Sequence, residues 1–362
     1  MAPPVITLTD LFDPARLASH VANGYVRTQV HPTLPLTIYN YTEKAQYEKV
    51  WDEITLSCRG LIAETATGRV LARPYAKFFN HSEPGAPVAE LSAPVRVTDK
   101  ADGSLGIIYA TTEGLAVATR GSFASDQARH ATDLLRRRYA TWAPPPGHTV
   151  LVEIIYPANR IVLDYGGMDD LMLLGAVELA TGRSLDASAV TDWPGPRVET
   201  FAYATFAEAL AAPPRQGREG LVVWFPDSDQ RVKIKYADYV AMHRIVTGLN
   251  ARVVWELLAA GEPLDSLIEE LPDEFHTWVA EVAAALREEV AARVVEIEAA
   301  YEAVVTGLPE GWGRKEFALA VGKHEQRGSL FLRLDGRSYE PYLWQQIRPA
   351  PDWTPAGRVY TE

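Results

Sequence analysis

The stretch between Pro272 and Gly307 contains neither glycine nor proline, the two residues that most often end or interrupt a helix. Apolar residues recur through it at intervals of three and four, which aligns side chains on one face of an α-helix. We therefore predict one long amphipathic helix across this stretch. Shorter helices are predicted at residues 314–323, 330–334 and 339–347.

The chain changes in character at about Leu249. Before this position, short apolar and β-branched runs alternate with turns rich in Gly, Pro and Asp, which is typical of antiparallel strands. We predict an α+β fold in which residues 1–248 form antiparallel sheets with helices and residues 249–362 form an all-helical C-terminal domain. The strands predicted in the first domain include residues 36–41, 57–63, 148–155, 161–165, 171–178 and 231–236, and the helices include residues 10–22 and 125–140.

Lys100 lies between two β-type runs, residues 95–98 and 107–110, and is predicted to occupy a turn between strands. A lysine amine is a nucleophile once it has lost its proton. Gly103 lets the backbone approach a ligand closely, and Asp102 is a candidate to hold the amine. The pattern Lys-x-Asp-Gly is also typical of a solvated lysine in a charged hairpin, so both interpretations stay open on the pattern alone.

Two glutamates stand at the ends of apolar runs. Glu153 lies near the end of one run, and Glu219 directly precedes another. A carboxylate on a buried strand is costly unless it is paired or solvated, and a ribose hydroxyl, a metal-bound water or a lysine would serve Glu153. Mg²⁺ prefers oxygen ligands and keeps several waters, so Glu219 is suited to contact the ion or its waters.

Several basic residues lie on or beside predicted strands, namely Arg59, Lys77, Arg120, Lys233 and Lys235. Each is suited to contact phosphate or ribose, and the alternatives are a surface salt bridge or a solvated strand face. Lys233 and Lys235 are two residues apart, so they share one face of their strand. Phe78 and Phe79 point to opposite faces, which allows one to enter the core while the other lines a site.

The order of these stretches is similar to that of one enzyme superfamily. Lys100-x-Asp102-Gly103-Ser104 resembles the nucleotide-attachment motif of covalent nucleotidyltransferases, which include polynucleotide ligases and capping enzymes. The stretches that begin at Glu153, Glu219 and Lys233 resemble later motifs of the same superfamily. Upstream, Arg59-Gly60 and Lys77-Phe78-Phe79-Asn80 resemble the T4 RNA ligase 1 branch of RNA ligases. The resemblance covers about residues 40–250.

The resemblance implies an ATP-dependent RNA ligase whose residues 1–248 form an ATP-grasp-like nucleotidyltransferase domain. ATP and Mg²⁺ are the implied cofactors, with Mn²⁺ able to substitute. Lys100 would form a covalent lysyl-AMP, the AMP would pass to an RNA 5′-phosphate, and an RNA 3′-hydroxyl would displace it. Residues 249–362 would then act as an RNA-specificity module, against the alternative of an appendage that only stabilises the chain.

The same resemblance assigns individual roles. The implied catalytic residues are Lys100, Lys233, Lys235 and Glu219. Glu219 is the implied metal ligand, directly or through water, and Glu153 is the second candidate. Arg120 stands where relatives commonly carry lysine, which keeps the positive charge but changes the bond geometry. The implied nucleotide-binding residues are Arg59, Lys77, Phe79, Lys100, Asp102, Gly103, Arg120, Glu153, Glu219, Lys233, Lys235 and Tyr239.

Two alternatives remain, of which the second is from another functional class. The first is another covalent nucleotidyltransferase, either a DNA nick-sealing ligase or a GTP-using capping enzyme. These enzymes usually append a five-stranded OB module, and the helical pattern after Leu249 does not match one. The second is a non-catalytic RNA-binding relative, against which the intact set of candidate residues argues. The expected partners are RNA ends and an end-healing kinase or phosphatase, and the oligomeric state is left open.

The net charge of −12 is concentrated in one segment. Residues 250–305 hold 13 Asp/Glu and three Arg/Lys, whereas the first 249 residues hold 27 and 24. Because phosphate contacts depend on the local charge of a groove rather than on the total, the acidic balance does not exclude RNA binding.

The targeting and cysteine patterns of the sequence limit where the protein is expected and which cysteine-based sites it can form. No apolar run reaches the ~18 residues of a transmembrane helix, and the start lacks the pattern of a secretory signal, so we expect a cytoplasmic protein without a membrane partner. The single cysteine, Cys58, excludes an intrachain disulfide and a multi-cysteine zinc site, and it is predicted to be a small buried residue.

Overall fold

The computed structural model describes residues 4–240, 248–271, 273–350 and 353. The chain divides into two compact units, an N-terminal unit of residues 1–247 and a C-terminal unit of residues 248–361. Sheets and helices combine in the first unit, and the described part of the second contains helices and their connections only. The predicted α+β class is confirmed. Among the described residues, no helix is long and apolar enough to cross a membrane.

Three sheets make up most of the N-terminal unit. The described strands, in chain order, are β1 (Val26–Val30), β2 (Leu36–Tyr41), β3 (Arg59–Glu64), β4 (Val70–Ala72), β5 (Phe79–Asn80), β6 (Arg96–Asp99), β7 (Ser104–Thr111), β8 (Gly114–Ala118), β9 (His148–Ile155), β10 (Asp170–Glu178), β11 (Ser184–Asp186), β12 (Thr200–Phe201), β13 (Gly220–Phe225) and β14 (Gln230–Lys235). Sheet I has the order β1-β2-β3-β4, sheet II the order β11-β10-β9-β7-β8, and sheet III the order β12-β6-β13-β14-β5. These strands pair antiparallel except β5 with β14, which is a parallel pair.

Six helices are described in the N-terminal unit, namely α1 (Leu8–Leu11), α2 (Pro14–Ala22), α3 (Glu43–Tyr47), α4 (Glu53–Ser57), α5 (Asp126–Arg138) and α6 (Phe206–Leu210). The start predicted for α5 is confirmed, because the Ser125 side chain caps it by accepting a hydrogen bond from the Ala128 backbone. Arginines in its last turn complement the negative end of the helix dipole.

Sheet II forms the centre of the N-terminal unit because both of its faces are buried. On β9, Val150, Val152 and Ile154 pack in one cluster with Leu134 of α5. Leu151 packs in a different cluster with residues of sheet I. Since successive side chains of a strand alternate between faces, Glu153 lies on the Leu151 face and outside the α5 core. In sheet III, the core is formed by Val97, Leu221, Val223 and Val232 together with Phe206 of α6.

Cys58 is fully buried between α4 and β3, as predicted. Burial raises the pKa of its thiol to about 12. A thiol in this state carries negligible thiolate at neutral pH and serves as a packing residue.

The helix predicted at residues 10–22 is wrong in its continuity. Two helices occur there, and they are separated at Asp13. Pro14 follows Asp13, and a residue before proline is disfavoured in the helical conformation. The Asp13 side chain instead caps α2 by accepting hydrogen bonds from the backbones of Ala15 and Arg16.

The strand predicted at residues 161–165 is also wrong, because this segment is irregular. The backbone amides of Val162 and Leu163 donate to one carboxylate oxygen of Asp102, at 3.0 and 2.8 Å. A side chain therefore takes the donors that a neighbouring strand would otherwise have used. The apolar residues Ile161, Val162 and Leu163 still enter the core of sheet III, which explains their strand-like pattern.

The C-terminal unit is organised by one helix, and the long helix predicted from the uninterrupted stretch is confirmed. The described helices are α7 (Ala251–Ala260), α8 (Asp265–Glu270), α9 (Asp273–Thr306), α10 (Arg314–Val321), α11 (Arg327–Leu334) and α12 (Glu340–Gln346). Helix α9 packs against α7, α10, α11 and α12. Val279, Val282 and Leu286 are buried along it, and each of the three short helices contributes a fully buried apolar side chain, namely Phe317, Leu330 and Leu343.

Candidate active site

Lys100 lies in the connection between β6 and β7, as the flanking runs predicted. These two strands do not form a hairpin, since β6 belongs to sheet III and β7 to sheet II. The lysine therefore lies where the chain passes from one sheet to the other. Its backbone amide donates to the Gly220 carbonyl at 2.9 Å, which ties it to the start of β13.

The Lys100 amine forms an ion pair with Glu219. Its Nζ is 2.5 Å from Glu219 Oε1, and Nζ of Lys235 is 3.1 Å from the same oxygen. The side chains of Lys100, Glu219 and Lys235 are 19%, 3% and 8% exposed. One nearly buried carboxylate thus holds two ammonium groups together, which is favourable only because each charge has a partner at contact distance.

The backbone register places Glu219 between the two lysines. Gly220, the next residue, pairs with Lys235 across β13 and β14. It has a φ of +153°, and a Cβ atom there would lie 2.0 Å from the Ile234 carbonyl oxygen. Only glycine permits this close approach of the strands. Glu219 directly precedes Gly220 and is therefore held at the end of the β13–β14 pair.

Glu153 joins this group from sheet II. Its Oε1 accepts a hydrogen bond of 3.0 Å from the backbone amide of Gly103. A Cβ at Gly103 would lie 2.6 Å from the Ile154 carbonyl oxygen, so glycine is required here too. Burial raises the pKa of Glu153 to about 8, against the opposing effect of the Lys100 ammonium. Lys100, Glu153, Glu219 and Lys235 are called the lysine–glutamate cluster below.

Asp102 has a different role from the one predicted. One of its carboxylate oxygens accepts a hydrogen bond from the Val162 backbone amide. The other accepts a hydrogen bond of 2.7 Å from the Tyr239 hydroxyl. Its backbone amide donates to the Tyr165 hydroxyl at 2.8 Å. The Lys100 amine instead contacts Glu219. Asp102 therefore connects neighbouring segments by hydrogen bonds and does not hold the amine.

Lys77 is enclosed by aromatic rings. Its Nζ lies 5.5, 5.6 and 5.2 Å from the ring centroids of Tyr41, Trp51 and Phe79. The side chain is buried, and cation–π attraction of about 2 kcal/mol or more per contact is typical for a desolvated cation. We call Tyr41, Trp51, Lys77 and Phe79 the aromatic cluster. Phe79, predicted to line the site, is buried within it.

Arg120 borders the aromatic cluster. Its Nη1 donates to the Tyr41 hydroxyl at 2.7 Å, and its guanidinium lies 5.0 Å from the Tyr41 ring centroid. Gly60, the residue after Arg59, has a φ of +95° and packs against the Arg120 backbone. The start of β3 and the segment that follows β8 are thereby brought together.

Phe78 connects the two remaining basic residues. The Arg59 guanidinium and the Lys233 amine each lie 5.4 Å from its ring centroid. The parallel pairing of Lys233 with Asn80 brings β14 beside this segment. Since Lys233 and Lys235 occupy the same strand, the Phe78 contacts lie next to the lysine–glutamate cluster along β14.

Comparison with known proteins identifies the family of the chain. Residues 57–239, half of the chain, match the family model described as RNA ligase. The chain belongs to the RNA ligase family. The matched residues of this family member include every predicted site residue, from Arg59 to Tyr239.

Two further similarities cover less of the chain. An uncharacterised protein, ORF64 of Ostreid herpesvirus 1, is 32% identical over 156 residues, which is 40% of this chain and 38% of that protein. Structures of Naegleria gruberi RNA ligase, with ATP and Mn and with AMP and Mn, are 18% identical. They cover 42% of this chain and 53% of theirs, with TM-scores of 0.33 and 0.34. The family member thus spans about half the length of these structures, and less of the viral protein.

The structure of this RNA ligase family member adds three site residues that sequence reasoning missed. Tyr41 and Trp51 enclose Lys77, and Phe78 contacts two basic residues. Alternation along the strand indicated that Phe78 and Phe79 would differ in environment, but it could not indicate which basic residues each ring would contact. Tyr41 and Trp51 carried no local pattern, since their role depends on contacts with distant parts of the chain.

The raised pKa of Glu153 leads to a prediction for stability. In the unfolded chain this carboxyl titrates near its ordinary value of 4.5, and in the folded protein near 8. Folding therefore favours the protonated form, and this contribution is lost as the pH rises through 8. Relative to the wild type, Glu153→Gln should gain stability between pH 5 and pH 8.5, on the order of a few kcal/mol.

Denaturant unfolding of both proteins at the two pH values measures this difference. Parallel changes in the free energy of unfolding of wild type and Glu153→Gln would show that Glu153 titrates alike in the folded and unfolded chain.

Proposed function

We propose that this chain is an ATP-dependent RNA ligase that joins 5′-phosphate and 3′-hydroxyl ends of RNA through a lysyl-AMP intermediate. The observation that carries the proposal is the contact of the Lys100 amine with the nearly buried Glu219, beside Lys235. A solvated turn lysine would not be enclosed in this way, and family membership supplies the context. The interpretation of Lys100 as a solvated hairpin residue is thereby disfavoured.

In the first step Lys100 Nζ would attack the α-phosphorus of ATP. The ammonium must first lose a proton, and Glu219 Oε1 at 2.5 Å is positioned to accept it. The nitrogen–phosphorus bond forms while the bond from phosphorus to the bridging oxygen breaks, and pyrophosphate leaves with the electron pair. Lys235, beside Glu219, supplies positive charge where negative charge develops on the phosphate oxygens.

The later steps would use the same site. An oxygen of the RNA 5′-phosphate displaces Lys100 from the AMP phosphorus, and the amine regains a proton. The RNA 3′-hydroxyl then attacks the activated 5′-phosphate, and AMP leaves. Glu153, largely protonated at pH 7, is suited to donate a hydrogen bond to a ribose oxygen. The basic residues around the Phe78 ring and the aromatic cluster are suited to hold the β- and γ-phosphates.

The residues present fit a divalent cation. Mg²⁺ is usually held by one or two carboxylates together with substrate phosphates and waters, and Glu219 of the lysine–glutamate cluster is such a carboxylate. Glu219 would hold the ion directly or through water, and Glu153 is the second candidate. When bound, Mg²⁺ or Mn²⁺ supplies neutralisation of phosphate charge. Within the described residues, no group of three His, Cys, Asp or Glu forms a self-sufficient metal site, which agrees with a cation that depends on the substrate.

Labelling with nucleotide tests the proposal. The protein is incubated with α-labelled ATP or GTP and Mg²⁺, denatured and separated by electrophoresis. Label from ATP that co-migrates with the chain, followed by joining of 5′-phosphorylated RNA, is expected. Equal labelling from GTP would indicate a capping-type enzyme, and joining of nicked DNA but not RNA would indicate a DNA ligase. No label, with RNA still bound, would indicate a non-catalytic relative.

Residues 249–362 are proposed to select the RNA ends, in a reaction that we assign to the cytoplasm and to cooperation with an end-healing kinase or phosphatase. The contrast within the C-terminal unit supports this role. Its long helix is strongly acidic, whereas α11 carries Arg327 and the partly exposed Phe331, whose ring is also contacted by Arg314. Basic and aromatic side chains together are typical of single-stranded RNA contacts.

A protein ending at residue 248 should therefore keep lysine adenylation within about threefold of the full chain, because every predicted site residue lies before that point. It should change which RNA ends are joined. The measurement compares adenylation and sealing over a panel of RNA ends, after circular dichroism and light scattering have shown a folded, monodisperse protein. Unchanged preference in such a protein would show that the C-terminal unit does not select substrate.

A further inference from the structure

Asp99 is a buried charged residue for which the mechanism above has no use. It ends β6 directly before Lys100, and its side chain is 8% exposed. Its Oδ1 is 3.2 Å from Arg215 Nη1, and its Oδ2 is 3.4 Å from Arg218 Nη1. Burial of a carboxylate is costly unless partners compensate, and burial raises the pKa of Asp99 although the two guanidinium groups act in the opposite direction.

The sequence neighbours of this ion pair are the reacting groups. Asp99 precedes Lys100, and Arg218 precedes Glu219. The Asp99–Arg218 pair and the Lys100–Glu219 pair therefore link the same two chain segments, one residue apart. A backbone hydrogen bond of 2.9 Å from Lys100 to Gly220 and the pairing of Asp99 with Leu221 complete the connection.

Arg215 anchors this connection to a third segment. Its Nη2 is 2.7 Å from Glu199, and its guanidinium lies 4.6 Å from the Phe201 ring centroid on β12. The Asp99 backbone amide also donates to the Glu199 carbonyl at 2.8 Å. Ion pairs of Arg215 and Arg218 therefore hold the irregular segment before β13 in place, next to Glu219.

We propose that Asp99, acting through Arg218, is a positioning residue that sets the Glu219 carboxylate against the Lys100 amine for adenylation. Attack on phosphorus requires the amine and its proton acceptor to be aligned, and a displacement of about 1 Å can cost about 100-fold in rate. Asp99 directly precedes Lys100, and its side chain pairs with Arg215 and Arg218. This inference rests on the proposed ligase function.

The test uses the full chain and single-turnover adenylation with ATP and Mg²⁺. Asp99→Asn and Arg218→Gln should each lower the rate of lysyl-AMP formation by about 10- to 100-fold, with the ATP concentration at half-maximal rate unchanged. The double variant Asp99→Asn/Arg218→Gln should be no slower than the slower single variant, because both changes remove the same Asp99–Arg218 contact. Arg218→Lys keeps the charge and should restore part of the rate. The control is Asp170→Asn, which breaks a more exposed ion pair with Arg138 and should leave the rate within about twofold.

Wild-type rates in folded Asp99→Asn would overturn the inference, as would a change confined to the ATP concentration dependence, which would place Asp99 in nucleotide binding. If Asp99→Asn does not fold, Arg218→Lys and Arg218→Gln decide the question, and equal wild-type rates in both would overturn it. Failure of the ligase proposal is distinct, because the wild-type chain itself would then take up no AMP.

Discussion

Lys100→Ala is expected to eliminate covalent AMP labelling. No other nitrogen can replace the Nζ atom that forms the bond, so labelling should fall below detection, by more than about 1,000-fold. The fold should survive because Glu219, which loses one ammonium partner, keeps Lys235 at 3.1 Å. Labelling with α-labelled ATP, read after denaturing electrophoresis, measures the loss.

Two controls separate chemistry from charge. Lys100→Arg keeps a cation opposite Glu219 but offers no comparable nucleophile, so it should also fail to label while remaining folded. Lys44→Ala removes a lysine whose amine contacts the Asn23 carbonyl and the Tyr25 ring, and it should label as the wild type does. Persistent label on Lys100→Ala would assign the nucleophile to another residue.

Glu219→Gln should impair both catalysis and stability. The carboxylate is the shared partner of two poorly exposed ammonium groups, and its neutralisation leaves them close together without compensating charge. Removal of one partner from a buried ion pair typically costs 3–5 kcal/mol, so we expect a loss of about 3 kcal/mol in the free energy of unfolding. Adenylation should fall by about 100-fold or more, because the proton acceptor is also lost.

Denaturant unfolding and single-turnover adenylation, assayed where circular dichroism shows the variant folded, measure the two effects separately. Glu64→Gln is the matched control, since Glu64 pairs with a half-exposed Arg69 and such pairs contribute at most about 1 kcal/mol. If Glu219→Gln and Glu64→Gln had equally small effects on unfolding and adenylation, the Lys100–Glu219 ion pair would contribute no more than a surface pair.

The Lys100→Ala and Glu219→Gln variants together distinguish the roles of these two residues in the site. Loss of label in Lys100→Ala with an intact fold would locate the bond that forms. Loss of both rate and stability in Glu219→Gln would show that the same carboxylate serves packing and chemistry. Structural stability and reactivity are coupled here because the charged groups are nearly buried and each relies on the others.

Local sequence patterns determined the elements of this protein. Absence of Gly and Pro determined the long helix α9, because nothing interrupts backbone hydrogen bonding between its ends. A nearly continuous apolar run predicted β9, because a strand that is buried on both faces carries apolar side chains at successive positions. The order of Lys100, Glu153 and Glu219 indicated a covalent nucleotidyltransferase, and the stretches at Arg59 and Lys77 indicated the RNA ligase family, to which the chain belongs.

Tertiary structure alone decided how these elements meet. Periodicity reports which face of a strand is buried but not which strand pairs with it, so β6 and β7 could not be assigned to different sheets. The partner of Lys100 is more than 100 residues away in the chain, and the pairing of β6 with β13 brings Glu219 to it. The irregular path of residues 161–165 has the same origin, since the Asp102 side chain takes backbone donors that the local sequence assigns to a strand.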